Sequence, residues 1–424
     1  MTNSLLDPPE LLPLTKGSLP SGTAWSAMRC RVERRIANLL LDRLGRPPVA
    51  LELPGGVLVA PGSGPPEVVV RILRESTLWS LLWQPSLAFG KGYQHGQIEI
   101  DGDLVRLCEL IEPTDGATRR PFWNGLRGAR RRRSASCTAS RQNIHQHYDL
   151  GNDFYRLWLD EQLIYTCAYF SSPDATLEAA QTAKMDLVCR KLNLQPGQQV
   201  IEAGCGWGAL ALHMAREYGV QVRAYNISHE QIVYARDQAY AAGLDGRVVF
   251  MEDDWRNMSG ECDAFVSVGM LEHVGPENYH QLGASVDRVL RPHGLGLIHT
   301  IGRDVPGKID CWIEKFIFPG AETPTLTQMM QALEPQRFVT LDVENLRLHY
   351  AKTLEHWLTR FEEHSDEVQD MFDESFVRAW RLYLSGSIAT FRTGGQQLFQ
   401  LVFTRCANNA IPWTRRDAEA GFGS

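Results

Sequence analysis

Short apolar runs alternate with longer stretches of helical period along the chain from Gln142 onward. That alternation is the pattern of an α/β fold with a doubly wound, Rossmann-like sheet. Runs at 199–203, 221–226, 248–252, 264–268 and 294–300 predict five strands. Stretches at 210–218, 230–242 and 279–290 predict the helices between them. The periodicity then fails near 316–325, which predicts an irregular insertion. It returns as a helical run over 353–392 and a last strand at 397–404.

The N-terminal part has its own rhythm. Ile36, Leu39, Leu40 and Leu44 predict a helix over 25–44, and apolar runs at 49–53, 57–60 and 68–73 predict short strands. The segment FGKGYQHGQIEIDGDL (89–104) closes a small α+β domain, taken as 25–117. Ahead of it, residues 1–24 are rich in proline and small polar residues and are expected to form a flexible leader. Behind it, 118–141 gathers Arg119, Arg120, Arg127, Arg130, Arg131, Arg132, Arg133 and Arg141. This stretch reads either as a solvated linker or as a grip on anionic headgroups. Residues 142–424 form the expected catalytic domain.

Composition narrows the class. A chain of 424 residues with 44% hydrophobic and 22% charged positions supports two or three compact units and excludes a disordered or fibrous protein. The net charge of -7 speaks against nucleic-acid binding through overall positive potential. Nine cysteines without CxxC pairs predict free thiols in a reducing cytosol and no metal site. The N-terminus lacks the basic start and unbroken apolar run of a secretory signal. No segment approaches the ~20 apolar residues that cross a bilayer as a helix. A cytoplasmic protein with peripheral membrane contact is the expectation, and a homodimer is compatible with it.

The sharpest local signal is VIEAGCGWGALALHMA (200–215), where a strand runs into Gly204, Gly206 and Gly208 and then a helix. Glycines so spaced let the backbone approach a ligand at the carboxyl end of the strand. The GxGxG form preceded by the acid Glu202 is that used for S-adenosylmethionine. Asn226 and Gln231, after the second strand, can hold ribose hydroxyls or the amino-acid tail. After the third, Asp254 can accept the adenine amino proton and Trp255 can stack on the ring. An ordinary α/β turn with incidental acids is the bland alternative.

HYDLGNDFYRLWLD (147–160), YTCAYF (165–170), EAGCGWG (202–208), SVGMLEHVGPENY (267–279), HTIG (299–302) and KFIFPG (315–320) resemble the cyclopropane-fatty-acyl-phospholipid synthases and mycolic acid methyltransferases. The resemblance covers nearly all of 143–405, and the 89–104 segment is similar to that family's accessory domain. It implies an S-adenosylmethionine-dependent methyltransferase acting on unsaturated acyl chains of phospholipids. In such enzymes an alkene attacks the sulfonium methyl, and the resulting carbocation loses a proton as a cyclopropane closes. The resemblance further implies bicarbonate as the base. Its ligands would be Cys167, Glu272, the His299 side chain, the Ile301 backbone and Tyr350, with Tyr165 and Thr166 touching the methyl donor. Phe316 and Phe318 would help wall an acyl tunnel. The chain departs from its relatives in carrying Asn226 in YNIS and Glu202 in EAG, and in its arginine run. Taken singly, each site residue also has a structural reading: Cys167 as a small core residue, Glu272 as a helix-terminal acid, His299 and Tyr350 as paired core groups. Three other functions stay open: a fatty-acid C-methyl or methylene transferase, a small-molecule N-methyltransferase, and an inert lipid-binding module.

Overall fold

The computed structural model describes residues 22–62, 64–112, 150–411 and 413–414. The arginine-rich stretch and residues 1–21 of the expected leader lie outside these. The first helix, α1 (Gly22–Arg43), begins three residues earlier than predicted.

Strands β1 (Val49–Glu52), β2 (Leu58–Val59), β3 (Val68–Ile72) and β4 (Ile98–Asp101) form a four-stranded sheet in the order β2-β1-β3-β4. Helices α2 (Glu75–Trp83), α3 (Pro85–Gln94) and α4 (Leu104–Ile111) complete this unit. Pro85 at the first turn of α3 costs no hydrogen bond there, and the Asp103 side chain caps α4 by accepting from Arg106 N at 3.0 Å.

After α5 (Asn152–Arg156) and α6 (Leu177–Lys191), five parallel strands follow: β5 (Gln199–Ala203), β6 (Gln221–Asn226), β7 (Val248–Glu252), β8 (Cys262–Val268) and β9 (Leu290–Gly302). Helices α7 (Ala209–Glu217), α8 (His229–Ala241) and α9 (Tyr279–Val289) connect them. Two further strands, β10 (Phe338–Asn345) and β11 (Gln397–Arg405), extend the sheet antiparallel to order β10-β11-β9-β8-β5-β6-β7. The chain winds outward from β5 in both directions, so the crevice between the carboxyl ends of β5 and β8 is the switch point where such sheets bind ligands. Buried on both faces, β5 and β8 read as near-continuous apolar runs.

Several elements were not in the expected set. Helix α6 escapes the pattern because Gln181, Lys184 and Lys191 interrupt its buried face. Edge strand β10 alternates polar and apolar residues over a half-exposed surface. Helix α11 (Leu326–Leu333) is short but is fixed by a capping box between Thr325 and Gln328. The run predicted over 353–392 is three helices, α12 (Arg347–Glu363), α13 (Ser365–Met371) and α14 (Glu374–Thr393). The last break is set by Asp373, whose side chain accepts from Phe376 N at 2.7 Å and starts a new helix. The fifth strand begins four residues early, directly on the end of α9. Helix α10 (Cys311–Phe316) precedes the irregular segment expected there.

One apolar cluster runs from Ile36 and Leu40 of α1 through Phe154 and Trp158 to Trp357, Trp380 and Phe391. The N-terminal unit therefore shares its core with α12 and α14. Arg378 fastens the seam, donating to Tyr93 O at 2.5 Å and Ile98 O at 2.9 Å while its guanidinium lies 4.4 Å from the Tyr93 ring centroid.

Gly283 marks the tightest helix packing on the other side of the sheet. A methyl group built there would collide with the carbonyl oxygen of Ala332 on α11. Gly283→Ala is expected to lower the free energy of unfolding by about 1–3 kcal/mol through overpacking. Urea denaturation checks this, and an unchanged midpoint would mean that α9 and α11 part freely.

Candidate active site

The turn leaving β5 is built from Gly204, Gly206 and Gly208, all with positive φ. Gly208 is required by packing, since a Cβ would stand 2.6 Å from Phe250 Cζ. Gly206 faces open space, which leaves its backbone free to approach a ligand. Asn226 at the end of β6 ties this turn down, donating to Gly206 O at 3.2 Å and to Gln231 Oε1 at 2.7 Å. Together they border a cavity of about 130 Å³ that also meets Tyr165, Thr166, Lys184 and Glu202.

Glu202 is buried and its Oε2 has no hydrogen-bond partner. Burial pushes its pKa up to about 8, opposed by the Lys184 ammonium. Burial in turn pushes Lys184 down to about 8, opposed by Asp160, Cys167 and Glu202. The Lys184 ammonium donates to Thr166 Oγ1 at 3.0 Å, and Gln181 Nε2 donates to Thr166 O at 2.8 Å. A buried carboxylate with an unpartnered oxygen beside a glycine turn suits a ligand bearing positive charge and hydroxyls, such as S-adenosylmethionine.

A second cavity of about 350 Å³ adjoins the first. The two share Tyr165, Thr166, Gly269 and His273. Glu272, Ile301 and Tyr350 line the second cavity near this common wall, and Phe318, Leu354, Leu382, Tyr383 and Phe391 make its apolar body. Ser86, Phe89, Gly90 and Ile111 come from the N-terminal unit, so both parts of the chain build the chamber.

Glu272 Oε1 accepts from Ile301 N at 2.6 Å, while Oε2 is buried without a partner. Burial raises its pKa to about 7 despite the Ile301 bond. His299 is buried, and its tautomer follows from a relay. Lys191 donates to Gln400 Oε1 at 2.7 Å, so the Gln400 amide nitrogen must face His299 Nδ1, 3.0 Å away, as donor. The ring proton then sits on Nε2, a buried N–H without an acceptor. Burial, with Lys184 and Lys191 nearby, holds the ring neutral. Cys167 is fully buried and turns its thiol to Ala168 O at 3.1 Å. Desolvation raises its pKa far above the usual thiol range, so it stays protonated.

The expected residues thus divide. Tyr165, Thr166, Glu202, Gly204, Gly206, Asn226 and Gln231 meet at the smaller cavity, and Glu272, Ile301 and Tyr350 at the larger. Cys167 and His299 contribute to neither cavity surface. Asp254 and Trp255 also stand apart from both. Asp254 accepts twice from Arg256 Nη1, at 3.0 and 2.9 Å, and Trp255 is buried with that guanidinium 4.3 Å from its ring centroid. Phe318 lines the larger cavity, whereas Phe316 is exposed. Sequence reasoning missed Lys184 and His273. The signal for Lys184 was a charge on the helical face set by Leu177, Ala180 and Val188.

An S-adenosylmethionine-dependent methyltransferase is the class that this sheet and its glycine cradle define. Residues 135–401 match the mycolic acid cyclopropane synthetase family, and the chain belongs to that family. It is 38% identical over 381 residues to the cyclopropane-fatty-acyl-phospholipid synthase of Escherichia coli (strain K12), covering 89% of this chain and 94% of that protein. A probable fatty acid methyltransferase of Pseudomonas putida is 36% identical over 84% of this chain and 92% of its own length. The solved structure of mycolic acid cyclopropane synthase CmaA1 complexed with SAH and CTAB superposes with a TM-score of 0.59. That match has 30% identity and covers 62% of this chain and 98% of that one.

Lys184→Met is expected to weaken binding of S-adenosylhomocysteine about tenfold near pH 7, one pKa unit's worth of lost support for ionised Glu202. Without the ammonium, Glu202 ionises at higher pH, so affinity should recover as pH rises towards 9. Lys184→Arg should retain affinity. Calorimetric titration across pH reads this, and a pH-independent loss would uncouple the two charges.

Proposed function

We propose that the chain transfers the methyl group of S-adenosylmethionine to the double bond of an unsaturated phospholipid acyl chain and closes a cyclopropane ring. The observation that carries this is the common wall. A cradle for a charged, hydroxylated donor opens beside an apolar chamber that holds one half-paired carboxylate, Glu272. The names of the relatives point to the same substrates.

In this reading Glu202, the glycine turn, Asn226 and Gln231 hold the donor, and Tyr165 and Thr166 aim its methyl group across the wall. The adenine contacts assigned to Asp254 and Trp255 need Arg256 to release Asp254. An acyl chain in the larger cavity displaces water, and the faces of Tyr165, Phe318 and Tyr383 favour the positive carbon that methylation creates. The Cys167 thiol stays protonated, which makes it a weaker trap for that carbon than a thiolate.

Bicarbonate fits as the base. Glu272 and Tyr350 line the larger cavity, where Glu272 Oε2 would accept from the ion, and His299 Nε2, buried behind the cavity surface, would donate to it once the wall opens. Cys167 would join them by turning its thiol from Ala168. Bound there, the ion supplies a weak acceptor for the proton that leaves before ring closure. We place the lipid- or membrane-associated accessory domain at 25–117, the linker at 118–141 and the catalytic domain at 142–424. The enzyme then works peripherally at the membrane from the cytoplasmic side, and homodimerisation is compatible with it. Among the described residues no helix is long and apolar enough to cross a membrane.

A second reading, a methyl or methylene branch, has the fatty acid methyltransferase relative in its favour. Expression in a host with monounsaturated lipids separates the two. A ring leaves the modified chain without a double bond, whereas a methylene branch keeps one, which alkene-selective derivatisation before mass spectrometry detects. Unmodified lipids would overturn both readings.

Glu272→Gln should lower turnover by about a hundredfold or more, with affinity for S-adenosylhomocysteine unchanged. Equal losses in both would make Glu272 merely structural. Because the Glu272 pKa is raised to about 7, its carboxylate is present above that pH. Wild-type activity should therefore fall as pH drops through about 7, and Glu272→Gln should lack that limb.

A further inference from the structure

Of the residues lining the larger cavity, Lys308 and Cys311 are the exposed ones, so the chamber opens beside 303–311. Arg303 stands just inside this opening. It donates to Lys308 O at 3.2 Å, and its Nε is buried without a partner. Burial lowers its pKa although Asp304, Glu112 and Glu322 pull the other way. Two carboxylates of the cavity lining, Glu112 and Asp310, already have partners. Glu112 accepts from Thr390 Oγ1 at 3.3 Å, and Asp310 caps α10 through Trp312 N at 2.8 Å while bonding Ser86. An apolar chamber whose mouth presents an incompletely paired guanidinium and a neighbouring ammonium is complementary to a chain that ends in an anion.

We propose that Arg303, assisted by Lys308, grips the anionic head of the entering lipid, a phosphate diester or a carboxylate, and thereby fixes how deep the acyl chain reaches. This rests on the lipid-methylating reading above. Arg303 follows Ile301 by two residues on extended chain, and Ile301 N holds Glu272. That step plus the arginine arm separates the head from the reacting end by on the order of 10 Å. Arg303 would then set which double bond lies beside the donor.

The test compares wild type, Arg303→Gln and Arg303→Lys on micelles of three lipids with the same monounsaturated chain: phosphatidylglycerol, the free fatty acid and the uncharged monoacylglycerol. Binding is read independently of chemistry by tryptophan quenching with brominated-chain forms of each, since Trp312 lines the cavity. For Arg303→Gln the expected result is about tenfold weaker binding and higher KM for a charged lipid. Its S-adenosylhomocysteine affinity should be unchanged, and Arg303→Lys should recover most of the loss. A loss confined to phosphatidylglycerol identifies the phosphate, and one confined to the fatty acid identifies the carboxylate. An equal loss on the monoacylglycerol, or no loss on any lipid, overturns the anion site. If wild type methylates none of them while Arg303→Gln still loses quenching by charged lipid, the anion site stands and the lipid-methylating reading falls.

Discussion

The hydrogen bond from Ile301 N to Glu272 Oε1 joins the ends of β8 and β9 where the two cavities meet. It stabilises half of a buried carboxylate and leaves the other oxygen buried without a partner. An unpaired carboxylate oxygen in an apolar space is costly, and the fold tolerates it because the rest of the wall is fixed. Gly269 N donates to His299 O at 2.9 Å, continuing the β8–β9 ladder up to the site. His299 is held in turn by Gln400 and Lys191, reaching from β11 and α6. The polar groups around Glu272 are thus held in place by the fold itself, the preorganisation that electrostatic catalysis requires.

A similar tension governs the smaller cavity. Glu202 and Lys184 are each desolvated, and each shifts towards neutrality while supporting the charge of the other. Lys184 and Gln181 also hold Thr166, a member of the wall common to both cavities. Helix α6 therefore couples the charges lining the smaller cavity to the position of the segment that separates the two cavities.

The N-terminal unit is more than an appendage. Its α3 and α4 supply wall to the larger cavity, and its apolar residues merge with those of α12 and α14 into one cluster. Gly90 packs so closely on Trp312 that a Cβ would overlap the indole. The shape of a chamber divided between two chain segments depends on the fit between them.

By itself the sequence determined what depends on local periodicity and short-range spacing. The five parallel strands, the glycine turn after β5 and the placing of Glu272 beyond the end of β8 follow from apolar period and strand order, whereas His299, read as lying past the fifth strand, sits inside β9. Resemblance in the motifs then named the chemistry. Elements with mixed patterns were hidden. Helix α6 carries buried Lys184 and Lys191, whose partners lie far along the chain, and β10 is an edge strand only half covered. The tertiary structure alone decided which polar groups stay unpaired. Asp254 is engaged by Arg256, Cys167 turns to Ala168, and Glu272 and His299 each keep one free atom. Pairing in a buried site depends on atoms from β8, β9, β11 and α6 meeting within hydrogen-bond distance, and no period along the chain records that meeting.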